Sequence, residues 1–147
     1  MQTFLPYPSF IQSAKCLDYR RLGKQRVECS QILKVLLNES KGNAWKNHPA
    51  VLMWKGYELA LAYYGFAICQ EWISRKYRDS LQPKFKYYIN LLLDKGNKFN
   101  MPLFLGNIEF HASHRSNLLR KKPEYYKQFN WSEPDNLPYV WPTKENV

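Results

Sequence analysis

The sequence contains few cysteines, and they are spread along the chain. Cys16, Cys29 and Cys69 are odd in number and widely spaced. That spacing fits neither a disulfide framework nor a zinc site. We therefore expect reduced cysteines that behave as small apolar residues in an intracellular, cytoplasmic protein, with no bound metal or cofactor.

Long apolar runs are also missing. No segment approaches the roughly 18 uninterrupted apolar residues that a membrane span needs. Residues 1–6 lack the charged and long apolar regions of a secretory signal. The chain has no Gly-rich phosphate loop and no nucleophile elbow, and strand-like alternation is nearly absent. We expect neither secretion nor membrane binding.

Acidic residues are scarce relative to basic ones. There are 12 Asp and Glu against 22 Lys and Arg, which gives a formal net charge of +10. Such an excess indicates nucleic acid, an anionic membrane surface or an acidic protein as partner. Aromatic residues make up 16% of the chain. Because basic side chains neutralise phosphates and aromatic faces stack on bases, the combination favours nucleic acid.

The spacing of apolar residues predicts an all-α fold, a single compact domain of about four helices over residues 1–147. Gly23 weakens the first helix by about 1 kcal/mol relative to Ala, unless it allows a close backbone approach. We expect an extended amino terminus at 1–12, loops at 38–47 and 97–106, a short turn from Pro123 and an irregular aromatic tail from Trp131. The predicted helices begin at Ser13 or Asp18, near Asn47, near Pro83 and at Asn107, and end near Leu37, Arg75, Gly96 and Lys121.

The first chemically notable segment lies early in the first predicted helix. Glu28 follows Lys24 by one turn and shares a face with Arg21 and Gln25. A carboxylate among cations stays ionised and can act as a general base. The segment is either a phosphate-binding face or an ordinary solvated charged face. Four cations lie within seven residues: Arg20, Arg21, Lys24 and Arg26.

A second polar cluster lies on the fourth predicted helix. His111 and His114, three residues apart, share a face, but no further zinc ligand is near in sequence. These side chains either bind substrate or phosphate, or satisfy one another inside the fold. The cluster continues with Arg115, Asn117, Arg120 and Lys121.

Aromatic residues follow this helix. Tyr125, Tyr126 and Lys127 begin a segment that either stacks on unpaired or damaged bases or seals the core. His48, before Pro49, is interpreted as a capping or core histidine.

The chain resembles the pyrimidine-dimer DNA glycosylase (phage endonuclease V-like) superfamily. Tyr19-Arg20-x-Leu22, a helix entered through a Pro, and Pro123-x-Tyr125-Tyr126-Lys127 are similar to family segments. The segments at 3–6, 21–28 (RLGKQRVE) and 111–120 (HASHRSNLLR) look like a bacterial and viral branch of the superfamily. The resemblance covers most of the chain at low identity.

The resemblance implies a mechanism. In the family, a free amino-terminal amine attacks the sugar C1′ of a damaged nucleotide, the base leaves, and a Schiff base leads to strand cleavage by β-elimination. An α-amine ordinarily has a pKa near 8, so part of it is unprotonated at neutral pH. A carboxylate on the first helix supports the cationic sugar, and the substrate is kinked with a base flipped out.

This chain departs from the family pattern at two positions. Arg21 stands where the family carries its catalytic glutamate, and Glu28 is the nearest replacement. Gln2 is bulky, so we expect Met1 to be retained. The nucleophile is then the Met1 amine or the side chain of Lys24.

We therefore expect a monomeric DNA glycosylase that acts on a damaged or modified pyrimidine in duplex DNA, with abasic-site lyase activity as a further possibility. One alternative is a non-catalytic DNA- or RNA-binding module on the same scaffold. Another is an interaction protein whose basic faces meet an acidic partner. The expected catalytic residues are Met1, Glu28 and Lys24, and the expected DNA contacts are Arg20, Arg21, Gln25, Arg26, His111, His114, Arg115, Asn117, Arg120, Lys121, Tyr125, Tyr126 and Lys127.

Overall fold

A computed structural model describes residues 1–42 and 44–142. These residues form helices and connecting segments without a β-strand, which confirms the all-α prediction. Asn43, in the predicted loop, and the tail residues 143–147 lie outside the described residues. The helices are α1 (Phe10–Cys16), α2 (Tyr19–Leu36), α3 (Pro49–Trp54), α4 (Glu58–Ser74), α5 (Gln82–Asp94), α6 (Ile108–Lys121) and α7 (Pro123–Tyr126), followed by a 3₁₀ turn (Lys127–Phe129).

The first predicted helix is two helices. Ser9 caps α1 by accepting a hydrogen bond from the Gln12 N–H at 3.1 Å, so the extended segment ends at Ser9 and not at residue 12. Leu17 and Asp18 then adopt extended backbone angles that separate α1 from α2. Asp18 occupies the predicted N-cap position, but its carboxylate bonds Tyr126 and Arg21 and not the helix backbone.

The second predicted helix is also divided. α3 begins at Pro49, where Pro is tolerated because the first turn needs no N–H donor. Gly56, with φ of 89°, breaks the chain between α3 and α4. A left-handed angle of this size suits glycine, which has no Cβ to clash with the backbone.

Helix α4 is the centre of the core. It packs against α1, α2 and α5, and Leu61, Tyr64 and Ile68 on it are fully buried. A Cβ on Gly65 would collide with the ring of Phe85. The glycine therefore sets how closely α4 and α5 approach. The three cysteines are buried in the protein and unpaired, as the sequence predicts.

The later elements follow the prediction closely. Gly96 lies just after α5, and the Asn107 side chain caps α6 by accepting from the Phe110 N–H at 2.9 Å. Residues 131–142 have no regular structure and lie along α6. There the Leu137 N–H donates to Ser116 Oγ at 2.9 Å and the Val140 N–H donates to Ser113 Oγ at 3.1 Å. Within the described ranges, no helix has the length and apolar character of a membrane span.

Candidate functional site

The first six residues run through the protein interior without regular structure. A buried segment of this kind must find hydrogen-bond partners for its backbone, because unpaired buried polar groups are costly. Side chains supply them. Gln25 Oε1 accepts from the Phe4 N–H at 2.7 Å, and Gln25 Nε2 donates to the Gln2 carbonyl at 2.8 Å.

Helix α6 holds the next residue of this segment. His114 Nδ1 accepts a hydrogen bond from the Leu5 N–H at 2.8 Å, and His111 Nδ1 bonds the Leu5 carbonyl at 2.7 Å. His111 Nε2 accepts from the Gly106 N–H at 2.8 Å. The proton of His111 therefore sits on Nδ1, which donates to Leu5, and the proton of neutral His114 sits on Nε2.

Both histidines are neutral at physiological pH. Burial lowers the pKa of His114 to about 3, and the neighbouring His111 adds to the shift. Burial also lowers the pKa of His111, with a smaller contribution from Arg115. Because desolvation disfavours the charged ring, each histidine acts as a fixed hydrogen-bonding group.

Three further side chains form hydrogen bonds with residues 3–6. Trp54 Nε1 donates to Thr3 Oγ1 at 3.0 Å, and the Tyr64 hydroxyl donates to the Phe4 carbonyl. Arg115 donates to the Pro6 carbonyl at 2.8 Å. We call the side chains that bond this segment the amino-terminal clamp: Gln25, Trp54, Tyr64, His111, His114 and Arg115.

The clamp directs the amino terminus to Glu28. The Met1 amine lies 3.9 Å from Glu28 Oε1, and Lys24 Nζ lies 3.9 Å from the same oxygen. These groups line a cleft of about 450 Å³. Small-molecule sites in proteins have volumes of roughly 300–1,000 Å³. The cleft is lined by Met1, Gln2, Phe4, Arg20, Arg21, Lys24, Glu28, His48, Lys121, Tyr139 and Trp141.

The cleft is strongly cationic around one carboxylate. Burial raises the pKa of Glu28, against the opposing effects of the Met1 amine and Lys24. Burial also lowers the pKa of Lys121, and the charges of Arg21, Arg120 and Lys24 add to that shift. A bound phosphate would reduce the repulsion among these cations, because it brings negative charge into the cleft.

Arg21 is held at the edge of the cleft by a buried network. Its guanidinium donates to Asp18 Oδ1 at 3.1 Å. The Tyr126 hydroxyl donates to the same carboxylate oxygen at 2.5 Å and accepts from the Asp18 N–H at 3.0 Å. Although burial alone would raise the pKa of Asp18, the bonds from Tyr126 and Arg21 lower it.

One wall of the cleft consists of aromatic rings, of which His48 was not predicted to belong to the site. His48 caps α3 by accepting from the Ala50 N–H through Nδ1 at 3.0 Å, as predicted, but it also lines the cleft. The ring packs edge-on against Trp141, which in turn contacts Tyr139. No local signal links His48 to Glu28, because helix α3 and the tail reach the cleft only through the tertiary fold.

The proton of neutral His48 sits on Nε2. This follows because Nδ1 acts as an acceptor. Partial burial and the charge of the Met1 amine lower the pKa of His48, which favours the neutral ring. In the described part of the chain, Nε2 has no hydrogen-bond partner. It is also absent from the buried atoms that lack one, so it is accessible to solvent. It is therefore open to a ligand.

Six of the predicted site residues meet at the cleft, and the others do not. Gln25, His111, His114, Asn117 and Tyr126 are buried and bonded within the protein. Because these side chains are buried, they have no surface with which to contact DNA in this structure. The residues that meet are Met1, Arg20, Arg21, Lys24, Glu28 and Lys121.

The remaining predicted arginines have internal partners. Arg26 donates to Asp79 at 2.6 Å, and Arg115 forms a two-pronged pair with Glu133 at 2.8 and 3.0 Å. Arg120 donates to Asn117. Arg115, an expected DNA contact, binds the carboxylate of the tail and does not line the cleft. Tyr125 packs on Tyr126 and Phe129, and Lys127 is exposed at the 3₁₀ turn.

A second cavity, of about 550 Å³, lies between α1 and α4. Phe10, Ile11, Tyr63 and Phe66 form much of its lining, which is mainly apolar. Lys15 and Glu71 also line it, but the Glu71 carboxylate is paired with Arg75 at 2.8 Å. The chemistry therefore favours the smaller cationic cleft, where the Met1 amine lies beside Glu28. In the described ranges, no group of His, Cys, Asp and Glu is arranged to hold a metal ion.

More than half of the chain matches a known protein family. The sequence profile of the pyrimidine dimer DNA glycosylase family matches residues 1–84. The matched region carries the amino terminus, Arg20, Lys24, Glu28 and His48, whereas Lys121 and the aromatic tail lie outside it. No curated protein and no solved structure matches the chain.

Proposed function

The chain belongs to the pyrimidine dimer DNA glycosylase family, and from that membership we propose that it is a DNA-repair glycosylase that also cleaves abasic strands through a Schiff base on the Met1 amine. The proposed substrate is duplex DNA with a damaged or modified pyrimidine. The observation that carries the proposal is the amine of Met1 at 3.9 Å from Glu28 Oε1 in a cationic cleft.

The charges of the cleft suit a nucleotide. Arg20, Arg21 and Lys121 line it and would neutralise the phosphates on either side of the extruded nucleotide. Tyr139, Trp141 and His48 offer ring faces and edges to its base. A base taken out of the duplex is commonly held between aromatic side chains in this way.

The first step replaces one bond at the sugar. The unprotonated Met1 amine attacks C1′, a C1′–N bond forms, and the bond to the pyrimidine breaks with its electron pair leaving on the base. Glu28 accepts the proton that the attacking nitrogen releases, and its negative charge stabilises the cationic sugar. The His48 Nε2–H can donate to a carbonyl oxygen of the departing base, which then takes up a proton.

The second step cleaves the strand. The sugar ring opens as O4′ takes the proton that Glu28 holds, which gives an iminium between Met1 and C1′ and returns Glu28 to its carboxylate. The carboxylate then removes a proton from C2′, the C3′–O bond breaks with its electron pair leaving on the oxygen, and the 3′ phosphate departs as a monoester. Hydrolysis of the imine returns the free amine.

Lys24 is the competing nucleophile, since its amine lies at the same distance from Glu28. Its side chain is 75% exposed. Met1 is favoured because the clamp fixes its position, and a fixed nucleophile loses less freedom in the transition state.

The test is borohydride trapping on duplexes that carry a thymine dimer, an abasic site or a modified pyrimidine. We expect a covalent protein–DNA adduct on abasic DNA that maps to Met1 by peptide mass, and that survives in Lys24→Arg, which keeps the charge but has no primary amine. Intact mass establishes that the amine is unblocked. An adduct that maps to Lys24 would overturn the Met1 assignment.

Base release without a trapped adduct would remove the lyase step and leave the glycosylase. DNA binding without either reaction would instead identify a non-catalytic binding module. In that case binding should weaken steeply with salt, and Glu28→Gln should change only affinity.

A further inference from the structure

Three aromatic rings form a stack on the outer side of α2. Trp72 and Tyr77 have ring centres 4.3 Å apart with planes inclined by 27°, and Tyr77 and Tyr19 have centres 6.3 Å apart with the same inclination. We call these three residues the aromatic ladder. None of them lines the cleft, and the proposed mechanism does not use them.

The inner end of the ladder is built into the fold. The ring of Trp72 lies so close to Gly23 that a Cβ there would be 2.9 Å from two of its carbons. The guanidinium of Arg26 lies 4.4 Å from the centre of the Trp72 ring, and Trp72 Nε1 donates to the Arg78 carbonyl at 2.7 Å. Trp72 is therefore held on both faces and at its edge.

The chain reverses sharply to put Tyr77 on Trp72. Lys76 adopts a φ of 73°, which is uncommon for a residue with a side chain. The reversal lets the Tyr77 N–H donate back to the Trp72 carbonyl at 3.3 Å. The Lys76 N–H also donates to the Ile73 carbonyl at 2.9 Å, and the two bonds form the Schellman motif that commonly ends a helix. The end of α4 therefore fixes Tyr77 on the Trp72 ring.

The outer end of the ladder faces solvent. Tyr19 is 47% exposed and Tyr77 is 40% exposed. Sealing the loop after α4 accounts for Trp72 but not for two further exposed rings stacked upon it. Two cations flank the outermost ring, since Arg20 and Lys122 each lie 5.8 Å from the centre of Tyr19.

The ladder adjoins the cleft. Arg20 contacts the Tyr19 ring and also lines the cleft, and Lys122 follows Lys121, which lines it too. These cations thus connect the cleft to the ladder along the surface.

We propose that the aromatic ladder stacks on an unpaired base of the DNA strand that flanks the nucleotide in the cleft, while Arg20 and Lys122 bind the phosphates between them. This inference rests on the proposed function. Because every base offers a ring face, the site should accept any base. Loss of one stacked base should weaken binding roughly 5- to 100-fold.

The test uses photocrosslinking of the wild-type protein. Duplexes with a stable abasic analogue carry 5-iodouracil, unpaired, at successive positions on either side of it. We expect a crosslink from one flanking position that maps to Tyr19 or Tyr77. Tyr19→Leu and Tyr77→Leu should lose the crosslink and bind roughly 5- to 100-fold more weakly. Tyr77→Phe keeps the ring and should bind like wild type. Tyr19→Phe also keeps the ring, and with it the crosslink, but it loses the bond that the Tyr19 hydroxyl accepts from Arg20 Nε at 3.2 Å.

The outcomes separate this inference from the proposed function. Borohydride trapping on abasic DNA without any crosslink to Tyr19 or Tyr77 would overturn the ladder assignment and leave the enzyme assignment intact. Unchanged affinity in both Leu variants, with unchanged thermal unfolding, would also overturn it. A protein that neither binds DNA nor forms a trapped adduct with it would contradict both the ladder assignment and the proposed function.

Discussion

His114 accepts a hydrogen bond at 2.8 Å from the backbone N–H of Leu5, a residue 109 positions earlier in the chain. The bond joins the polar segment of α6 to the chain's first residues. With Gln25 on α2, it determines where the Met1 amine lies relative to Glu28. The polar residues of α6 therefore help to fix the position of the Met1 amine, because they hydrogen-bond the buried residues that follow it.

Replacement of His114 should show how much this bond contributes. His114→Leu leaves the buried Leu5 N–H without an acceptor, whereas Asn at this position offers Oδ1 close to the place of Nδ1. We expect His114→Leu to lose about 1–3 kcal/mol more unfolding free energy than His114→Asn. Urea unfolding measures both. Equal losses in the two variants would mean that the hydrogen bond contributes nothing beyond packing.

The same histidine predicts how stability depends on pH. Burial lowers the pKa of folded His114 to about 3, against an ordinary value of 6.5. Between those values the unfolded chain binds a proton that the folded chain does not, so acid favours unfolding. The unfolding free energy should fall by about 1.4 kcal/mol per pH unit as pH drops from about 6 toward 3.

His111 titrates in the same direction, so the comparison must be made between wild type and His114→Asn. The variant should have a shallower acid dependence by close to one proton. Parallel curves for the two proteins would show that His114 does not titrate as its burial requires.

Gly23 should resist replacement although Ala favours helices. A Cβ would lie 2.9 Å from two ring carbons of Trp72. Displacement of that ring should outweigh the helix gain of about 1 kcal/mol, so we expect Gly23→Ala to destabilise by about 1–2 kcal/mol. Trp72→Phe removes the two carbons, and the double variant should recover the loss in a double-mutant cycle. Additive effects would contradict the contact.

The sequence predicted these features unequally. Apolar spacing located α2, α5 and α6 within a few residues. Asp18, one of the two predicted starts, lies directly before α2, and of the two interpretations of Gly23 the structure supports the close approach. Helix α1 and the break at Gly56 were missed, because residues 1–12 were expected to be extended and apolar spacing continues through Gly56. Helical periodicity reports which face is apolar, and it carries no information about breaks of this kind.

Only part of the site could be predicted, because local spacing groups residues of one helix and not residues of different elements. The cations and Glu28 share one helix, so local spacing was enough to group them. For His111, His114 and Asn117, the sequence left open either contacts with substrate or hydrogen bonds inside the fold, and the structure shows the second. Both histidines bond the backbone of Leu5, more than 100 residues earlier, and only the tertiary fold reveals that partner. The same is true of Tyr139 and Trp141 in the cleft wall.

Tyr126 offers a test of the network behind Arg21. Tyr126→Phe removes the hydroxyl that donates to Asp18 Oδ1 and accepts from the Asp18 N–H. Because both Asp18 groups are buried, we expect a loss of about 1–3 kcal/mol in unfolding free energy. Tyr125→Phe is the matched control, since its hydroxyl has no hydrogen bond in the described residues, and it should change stability by less than about 0.5 kcal/mol.

Glu28 should give the reaction its acid limb. If the ionised carboxylate takes the proton from Met1, the single-turnover cleavage rate on abasic DNA must fall as pH drops through the pKa of Glu28. Burial raises that pKa, so the limb should lie at a pH above the ordinary glutamate pKa of about 4.3. Glu28→Gln keeps the shape of the side chain but cannot accept the proton, and it should lower the rate about 10²- to 10⁴-fold. It should also abolish this limb and leave only the separate fall in rate that protonation of the nucleophilic amine causes at higher pH. Glu109→Gln makes the same chemical change at an exposed residue of α6 outside the cleft and should leave both the rate and the limb unchanged. Two limbs that both persist in Glu28→Gln would assign the proton transfer to another group, because no other carboxylate lines the cleft in the described part of the chain.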